Sequence, residues 1–353
     1  MKFTIDPKRT NSLPELQHIQ ASTEDAIIPV YESESLRSQI TNFNKKIPEI
    51  GYFVLHDVYV LGNGFLIDKD GRRIQSRYLP YTLLRSKEGI KRSSGPISEC
   101  NDGYVTTPRK VTEVNEPVAL LTQPGDRIFG HWIVDMLPKL AMINSYDPSI
   151  RCIIKSDVIN GSAIKDIDAV FDMIGFDKNR AIGIKPASEA ILCKKLIVPS
   201  VVRYGQQIHS FVKSLYEPFR LPPSDPQPSK KLYFSRRLWQ PSGSHRILSN
   251  AQEVEEYYRA NGYDVVFPER LTFKEKLTKL ANASHVAGEK GSALHLSLFS
   301  SSIKEMTVLL NPSEPENGLP LLQAEICRLQ GINCHIVIGQ PSLDDSGYTI
   351  KLP

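Results

Sequence analysis

The stretch that most constrains the fold is residues 285–299, where a short apolar segment enters a loop and then an apolar run with helical spacing. The loop is bounded by Gly288 and Gly291, which permit a tight turn. A strand, a glycine turn and a helix start place several backbone N–H groups around one point, where the helix dipole favours an anion. The corner therefore predicts an α/β unit that suits a diphosphate. It is neither a GxGxxG fingerprint nor a Gly-Lys-Ser/Thr loop, so a purely structural corner is the alternative.

The apolar segments divide the chain into an antiparallel start and an α/β remainder. Residues 51–61 form a predicted strand, and Asn63-Gly64 supplies a hairpin turn into a second strand at 65–68. A β meander therefore precedes the α/β part. From Val118 onward, strands alternate with helices, which indicates parallel sheets with helices on their faces. The predicted strands are 118–121, 151–154, 191–198, 231–235, 263–267, 285–287, 306–310 and 333–338, and the predicted helices are 131–144, 162–174, 206–219, 250–261, 272–283, 292–299 and 319–330.

A proline-rich segment marks the best candidate for a domain linker. The chain has 353 residues, enough for two domains with separate cores. Four prolines fall within 221–229, and a helix cannot continue through them. We therefore predict an N-terminal extension at 1–48, an acceptor-side α/β domain at 49–220, a linker at 221–230 and a second α/β domain at 231–353.

Composition excludes several classes of protein. A net charge of +4 over the whole chain is too small to indicate nucleic-acid binding. No run of about 18 apolar residues is present, and the N-terminus lacks the apolar core of a secretion signal. The five cysteines are odd in number and contain no CxxC pair, which argues against a disulfide framework or a zinc site. The cysteine pattern therefore favours a location in the reducing cytoplasm.

Motifs on both sides of the linker occur in a recognisable order. Residues 130–140 are Gly-His-Trp-Ile-Val-Asp-Met-Leu-Pro-Lys-Leu, and residues 231–237 end in Ser-Arg-Arg. Residues 246–250 are Arg-Ile-Leu-Ser-Asn, residues 262–269 are Gly-Tyr-Asp-Val-Val-Phe-Pro-Glu, and the glycine corner follows. Over roughly residues 50–310, this series resembles glycosyltransferase family 61.

The resemblance implies both a fold and a reaction. The fold would be GT-B-like, with two Rossmann-like domains facing a cleft. The reaction would be an inverting transfer of a sugar from a nucleotide-diphosphate donor to a saccharide or lipid-linked glycan acceptor, in capsule, lipopolysaccharide or other cell-surface polysaccharide biosynthesis. Eukaryotic family members resemble secretory-pathway proteins, so the missing signal favours a bacterial-type cytoplasmic enzyme, with room for peripheral association at the inner face of the membrane.

The donor site is predicted from the residues that would stabilise a leaving diphosphate. Cations and backbone N–H groups stabilise such charge, and the matched motif favours Arg236. Adjacent strand residues point to opposite faces, so Arg237 should face away. A carboxylate at a strand or loop end could hold a ribose hydroxyl. The predicted donor and phosphate-binding residues are Arg236, Arg246, Gly288, Gly291, Ser292, Ala293, Glu269, Glu289 and Lys290.

The candidate base is one of His131 and Asp135, the two predicted catalytic residues. Four residues apart on a helix, they would share one face and could hydrogen-bond. Pro138 permits a second interpretation, because proline fits best in a first helical turn. A helix that starts near Asp135 would make this residue an N-cap and His131 a buried loop residue. The resemblance favours the catalytic pair. Which member is the base stays open, with Asp135 preferred because acidic bases are common in inverting transferases of this architecture.

A metal site is the alternative for stabilising the diphosphate. Asp166 and Asp168 form Asp-x-Asp, a magnesium or manganese signature when it ends a strand. Here the neighbouring apolar residues have helical spacing, which puts both aspartates on a solvated helix face. We therefore predict a metal-independent enzyme with no cofactor besides its nucleotide-sugar substrate.

Two departures from the family pattern support a different function. Lys290 and Ala251 stand beside the predicted donor site where family members often carry a histidine and an acidic residue. They motivate a non-catalytic nucleotide-sugar or glycan-binding subunit of a polysaccharide assembly complex. A third interpretation, a Rossmann-type dinucleotide oxidoreductase, lacks the GxGxxG after the first parallel strand.

Overall fold

The computed structural model describes residues 3–11, 17–20, 49–74, 97–100, 103–204, 207–239, 247–312, 321–342 and 347–352. Contacts divide the chain into two compact units, with the division between Val202 and Arg203. Each unit combines strands with helices, so the predicted α/β class is confirmed.

The first unit contains a mixed sheet. Among the described residues its strand order is β11-β10-β9-β12-β3-β4-β5-β1-β7-β6, with β2 beside β3 and β8 beside β12. Strands β9, β10 and β11 are parallel, β12 runs parallel to β9, and β3 is antiparallel to β12. The strands are β1 (Phe3–Asn11), β2 (Gln17–Gln20), β3 (Ile50–Leu61), β4 (Phe65–Asp68), β5 (Arg72–Ile74), β6 (Ile97–Cys100), β7 (Gly103–Thr106), β8 (Lys110–Val114), β9 (Val118–Leu120), β10 (Arg151–Lys155), β11 (Ala181–Ile184) and β12 (Glu189–Pro199).

A single helical run connects β9 to β10 and accommodates Pro138 inside it. It consists of α1 (Phe129–His131), a π-helical turn (Trp132–Met136) and α2 (Leu137–Tyr146). Proline inside an α-helix clashes with the carbonyl four residues earlier, and the wider π turn relieves this crowding. The Leu137 N–H accordingly bonds the Trp132 carbonyl, five residues back. Asp135 therefore lies within the run, and the interpretation of it as an N-cap is wrong.

Aromatic packing anchors this run on the first unit's core. The Trp132 side chain is fully buried and meets Phe171 edge to face, with ring centroids 5.3 Å apart. Such pairs contribute about 1 kcal/mol beyond their buried area. Phe171 belongs to α4 (Ile167–Met173), which follows the short α3 (Ser156–Ile159). The predicted helix at 162–174 is therefore shorter in the structure.

The second unit is built on a parallel sheet of five described strands, in the order β16-β15-β17-β18-β19. Counted from its first strand this is the order 2-1-3-4-5 of doubly wound α/β folds. The unit's strands are β13 (Arg203–Tyr204), β14 (Gln207–Ile208), β15 (Lys230–Phe234), β16 (Tyr263–Val266), β17 (Ala283–Glu289), β18 (Glu305–Leu310), β19 (Asn333–Ile338), β20 (Gln340–Pro341) and β21 (Tyr348–Thr349).

Helices connect the parallel strands of the second unit. Helix α5 (Phe211–Tyr216) precedes the first of these strands, and the connections contain α6 (Ala251–Ala260), α7 (Phe273–Ala281), α8 (Ser292–His295) and α9 (Leu321–Gln330). Helix α8 makes one α-helical turn and continues as a 3₁₀ turn over Leu296–Phe299. The predicted helix at 292–299 thus exists in a shorter, tighter form, so its dipole is smaller than the sequence suggested.

The sequence predicts a capping box at two helix starts, Asn250 with Glu253 and Thr272 with Glu275, and the structure bears out one of them. At the start of α7, the Thr272 hydroxyl accepts from the Glu275 N–H while the Glu275 carboxylate accepts from the Thr272 N–H, as predicted. At the start of α6, the Asn250 side chain makes no cap hydrogen bond. Its amide instead bonds both backbone groups of Ile350. A partner a hundred residues away therefore replaces the local cap.

The proline-rich segment predicted as the linker is tied to the second unit. The Ser224 N–H and hydroxyl both donate to the side-chain oxygen of Asn282, at 2.8 and 2.6 Å. The preceding Arg220 donates to the carbonyl of Leu298 and to Gln330. The division between the compact units lies earlier in the chain than 221–230, and the predicted domain limits stay a prediction.

Candidate active site

The predicted catalytic pair lies beyond the carboxyl end of the parallel strands of the first unit. In open α/β sheets, ligands bind at this edge. Strand β9 ends at Leu120 and leads through a short loop to the helical run, while the neighbouring β10 ends at Lys155. Polar side chains of the loop and of both following helices therefore meet here.

The structure brings His131 and Asp135 into direct contact. His131 Nδ1 and Asp135 Oδ2 are 2.7 Å apart, and the His131 side chain is 34% exposed whereas that of Asp135 is 9% exposed. An ionised Asp135 accepts the Nδ1 proton, which leaves the lone pair of the imidazole on Nε2. An imidazole held by a carboxylate in this way has the geometry of the histidine–aspartate pair in catalytic triads. His131 and Asp135 are called the dyad below.

A cluster of buried charges extends from the dyad into the unit. Lys139, one turn beyond Asp135, is only 3% exposed, and its Nζ donates to the Gln123 side chain at 2.5 Å. Burial lowers the pKa of Lys139 to about 8, while the charges of Asp135 and Asp126 act to raise it. Next to it, Lys155 donates to the Gln123 carbonyl and forms an ion pair with the buried Asp126.

The loop before the helical run is organised by Asp126. One carboxylate oxygen accepts from the Thr122 hydroxyl at 2.7 Å and from the Gln123 N–H at 3.2 Å, and the other pairs with Lys155. Burial raises the pKa of Asp126, and attraction to Lys155 opposes that rise. The Asp126 carbonyl accepts from the indole of Trp132, which ties the loop to the run that carries the dyad.

Sequence reasoning missed Asp126, Lys139 and Lys155. One signal was available, because Lys139 follows Asp135 at the same four-residue spacing that singled out His131. No spacing rule points to Asp126 or Lys155. They are brought together by the parallel pairing of β9 and β10, which are separated by the entire helical run.

Gly125 supports the His131 ring. Its φ is +89°, and a Cβ placed there would lie 2.9 Å from the imidazole Cδ2. A side chain at position 125 is therefore both strained and in the way of the ring.

Gly125→Ala is expected to displace the imidazole, and for a catalytic His131 this should lower kcat by about tenfold or more, since small misplacements of catalytic groups cost this much. Gly175→Ala is the matched control, because Gly175 has a φ of +66° but no atom within 4 Å of the place its new methyl group would take. Both variants should lose about 1–2 kcal/mol of stability. Thermal unfolding and steady-state kinetics separate the effects. Equal kcat values for the two variants would contradict the contact.

The second unit places the predicted donor residues at its topological switch point. Strands β15 and β17 are neighbours, but the chain leaves them in opposite directions, to β16 on one side and β18 on the other. Such points leave a crevice at the carboxyl ends of the strands where ligands bind. Ser235 and Arg236 follow β15. Strand β17 extends to Glu289, so Gly288 lies within the strand, and Lys290 and Gly291 form the turn after it.

Arg236 and Glu289 meet across this point. The Arg236 N–H donates to the Glu289 carboxylate at 2.8 Å, and the guanidinium donates to the Lys290 carbonyl at 2.5 Å. The guanidinium also lies over the Trp239 ring, 4.0 Å from its centroid. Glu289 is 4% exposed, and burial raises its pKa to about 7 against the hydrogen bond and charge of Arg236.

The other predicted donor residues that the structure describes lie around the same strand ends. A Cβ on Gly288 would lie 2.8 Å from the Phe234 carbonyl, and one on Gly291 would lie 3.4 Å from the Arg236 side chain. Ser292 and Ala293 begin α8. Glu269 lies in the 3₁₀ turn after β16, and its charge contributes to the raised pKa of Glu289. Arg246 lies outside the described residues.

Arg237 has a structural role. Strand β15 ends at Phe234, one residue before its predicted end, and both Arg236 and Arg237 lie beyond it. Strand alternation therefore does not determine which way the two side chains point. Arg237 forms two hydrogen bonds with Glu255, at 2.8 and 3.1 Å. Glu255 is 1% exposed, and although burial would raise its pKa, hydrogen bonds from Arg237, Ser235 and Arg259 hold it below its usual value. Arg237 therefore neutralises a buried carboxylate.

Glu289 predicts a pH dependence of stability. Its carboxyl binds a proton more tightly in the folded protein than in the unfolded chain. The free energy of unfolding should therefore fall as the pH rises from about 4.5 through about 7. A shift of this size corresponds to about 3 kcal/mol. Glu289→Gln should remove this part of the decline and be the more stable protein at about pH 8, in denaturant unfolding. The exposed Glu256→Gln should retain it. Identical slopes for wild type and Glu289→Gln would contradict the burial argument.

The Asp-x-Asp sequence lies on a helix start, not at a strand end. Asp166 precedes α4, and Asp168 lies in the first turn of that helix. The Asp168 carboxylate forms an ion pair with Lys178, and the side chains of Asp168 and Lys178 are both exposed. In the part of the chain that the structure describes, no group of three or more His, Cys, Asp or Glu side chains is placed to hold a metal ion.

A histidine hydrogen-bonded to a carboxylate in one α/β unit, and an arginine beside a glycine turn at the strand ends of the other, are arrangements typical of group-transfer enzymes. The family model for Glycosyltransferase 61 matches residues 129–310, just over half of the chain. The chain therefore belongs to glycosyltransferase family 61, and it is a transferase that takes a sugar donor and a glycan acceptor. No curated protein matches the sequence.

None of the described helices is both long enough and apolar enough to cross a membrane.

Proposed function

We propose that this chain is an inverting, metal-independent glycosyltransferase that uses His131 as its base. The observation that carries the proposal is the 2.7 Å contact between His131 and the largely buried Asp135, beyond the carboxyl ends of the parallel strands β9 and β10. The imidazole is the more exposed member of the dyad, so an acceptor hydroxyl reaches it first. This assignment replaces the preference for Asp135 that the sequence alone suggested.

The proposed reaction is a single displacement at the anomeric carbon. His131 Nε2 takes the proton of the acceptor hydroxyl while its oxygen attacks, and the bond from the anomeric carbon to the diphosphate oxygen breaks. Asp135 holds the ring tautomer and stabilises the imidazolium that forms. Attack opposite the leaving group inverts the anomeric configuration.

The donor nucleotide diphosphate is proposed to bind at the switch point of the second unit. The supporting features are the Arg236 guanidinium, the glycine loop that brings backbone close to it, and Glu269 near the same strand ends. Developing charge on the leaving diphosphate is then stabilised by Arg236 and by loop N–H groups at Gly291, Ser292 and Ala293. Arg246, Gly288, Glu289 and Lys290 complete the proposed donor set.

The setting proposed is bacterial-type cell-surface polysaccharide biosynthesis in the cytoplasm, in a GT-B architecture with no metal or other cofactor. The acceptor would be a saccharide or a lipid-linked glycan. Family membership supports the sugar donor and the glycan acceptor. The position of the Asp-x-Asp sequence at a helix start, with Asp168 paired to Lys178, supports the metal-independent part of the proposal.

Thermal shift with a panel of nucleotide diphosphates and nucleotide sugars tests the proposal. A ligand present at about a hundred times its Kd stabilises by about 3 kcal/mol, which is a shift of several degrees. We expect at least one nucleotide to raise Tm, and the same nucleotide sugar to be hydrolysed slowly. Binding without hydrolysis would instead favour the non-catalytic subunit. No shift from any nucleotide at millimolar concentration would overturn the proposal, and enhanced NADH fluorescence would favour an oxidoreductase.

A further inference from the structure

Lys139 is a buried cation that neither the base nor the donor site uses directly. It lies in α2 among apolar residues that pack into the first unit, at 3% exposure. Taking an ammonium out of water is costly unless nearby negative charge and hydrogen bonds compensate. The negative charges and hydrogen-bond acceptors around Lys139 therefore determine whether its ammonium is stabilised and which groups its charge influences.

The groups that face Lys139 come from three elements. On its own helical run the charged neighbour is Asp135, which carries His131 on its Oδ2. From the loop after β9, the side-chain oxygen of Gln123 accepts a hydrogen bond from the Lys139 ammonium at 2.5 Å, and Asp126 contributes a second negative charge. From β10, Lys155 bonds the Gln123 carbonyl and pairs with Asp126.

A second ion pair borders this cluster near Lys155. Arg127 and Asp157 are 2.6 Å apart, and both act on Lys155 through their charges. Because the two charges of this pair cancel and the pair is partly exposed, it has little effect on the net charge around Lys139 and Lys155.

Within the buried charge cluster, which we define as Asp126, Asp135, Lys139 and Lys155, the charges balance. Two carboxylates face two ammoniums, so the hydrogen-bonded His131 needs no charge of its own. Without Lys139 the cluster would carry an excess negative charge. His131 could then supply the missing positive charge, because it already donates to Asp135.

We infer that Lys139 is a positioning residue for the dyad: its ammonium keeps Asp135 ionised while His131 stays neutral and able to accept a proton. A protonated imidazole has no lone pair and cannot act as a base. The catalytic part of this inference rests on the proposed function, whereas the electrostatic link between Lys139 and His131 can be measured without any turnover.

The test is an NMR titration of the imidazole in wild type and Lys139→Met, with the His131 signal assigned by its loss in His131→Asn. Removing the buried positive charge of Lys139 should move the His131 titration midpoint upward by on the order of one pH unit. The acid limb of the pH–rate profile should move the same way, with activity recovered at higher pH. Lys178→Met, at an exposed lysine paired with Asp168, should change neither.

An unchanged His131 midpoint in folded Lys139→Met would overturn the inference, whatever happens to activity. Lys139→Gln repeats the test with a side chain that still bonds Gln123, in case the methionine variant does not fold. If wild type shows no transferase activity but the midpoint shifts, the proposed function fails and the electrostatic link stands.

Discussion

His131→Asn is expected to remove nearly all turnover, with kcat reduced by about a thousandfold or more, while the nucleotide donor still binds. Asparagine keeps a polar side chain of similar reach but cannot accept a proton at neutral pH, and loss of a general base costs about a hundred- to ten-thousandfold. Asp135→Asn should lose a similar factor, because an amide no longer holds the imidazole in the correct tautomer or stabilises its charged form. Steady-state kinetics and calorimetric titration of the donor measure the two quantities.

The pattern across the two variants identifies the base. A dead Asp135→Asn beside a His131→Asn that keeps measurable activity would make the carboxylate the base, contrary to the geometry. Activity retained in both would show that the dyad only stabilises the helical run.

Arg236→Ala is expected to lower kcat by about a hundredfold, since its guanidinium would stabilise charge that develops only as the diphosphate leaves. A group of this kind acts more on the transition state than on the bound donor, so KM should change less than kcat. Rates at saturating acceptor with an accepted nucleotide sugar measure both. A change confined to KM would place Arg236 in ground-state donor binding only.

Arg237→Ala is the neighbouring control, and its effect should be on stability. It removes two hydrogen bonds from the buried Glu255, which keeps Ser235 and Arg259 as partners. Because Arg237 itself is 45% exposed, we expect a loss of about 1–2 kcal/mol and not the larger cost of a fully buried pair. In the protein that remains folded, kcat should be close to wild type. Comparable kcat losses at both positions would mean that Arg237 also faces the donor.

Periodicity and local chemistry predicted all five parallel strands of the second unit. The strands at 231–235, 263–267, 306–310 and 333–338 lie within one residue of the observed limits at each end. The Thr272 cap was predictable because both partners lie within one helical turn. The Asn250 cap was not, because its amide bonds Ile350, and competition from so distant a partner leaves no local pattern.

The dyad was predictable, but its surroundings were only partly so. The four-residue spacing made contact between His131 and Asp135 possible, and the resemblance of residues 130–140 to the family motif favoured the pair. Pro138 obscured the helix because the π turn that accommodates it has no strong sequence signature. Asp126 and Lys155 are brought together by the pairing of β9 with β10, about thirty residues apart in the chain. Such juxtapositions follow from sheet order, which spacing along the sequence does not encode.

Proton NMR of the first product formed from an accepted nucleotide sugar is the decisive measurement for an inverting mechanism with His131 as base. The anomeric proton of the product reports its configuration, and parallel samples of wild type and His131→Asn report whether the dyad is required. We expect a product of inverted configuration in wild type and no product above background in His131→Asn. A product that retains the donor's configuration, or one that forms equally fast in His131→Asn, would show that this mechanism is wrong.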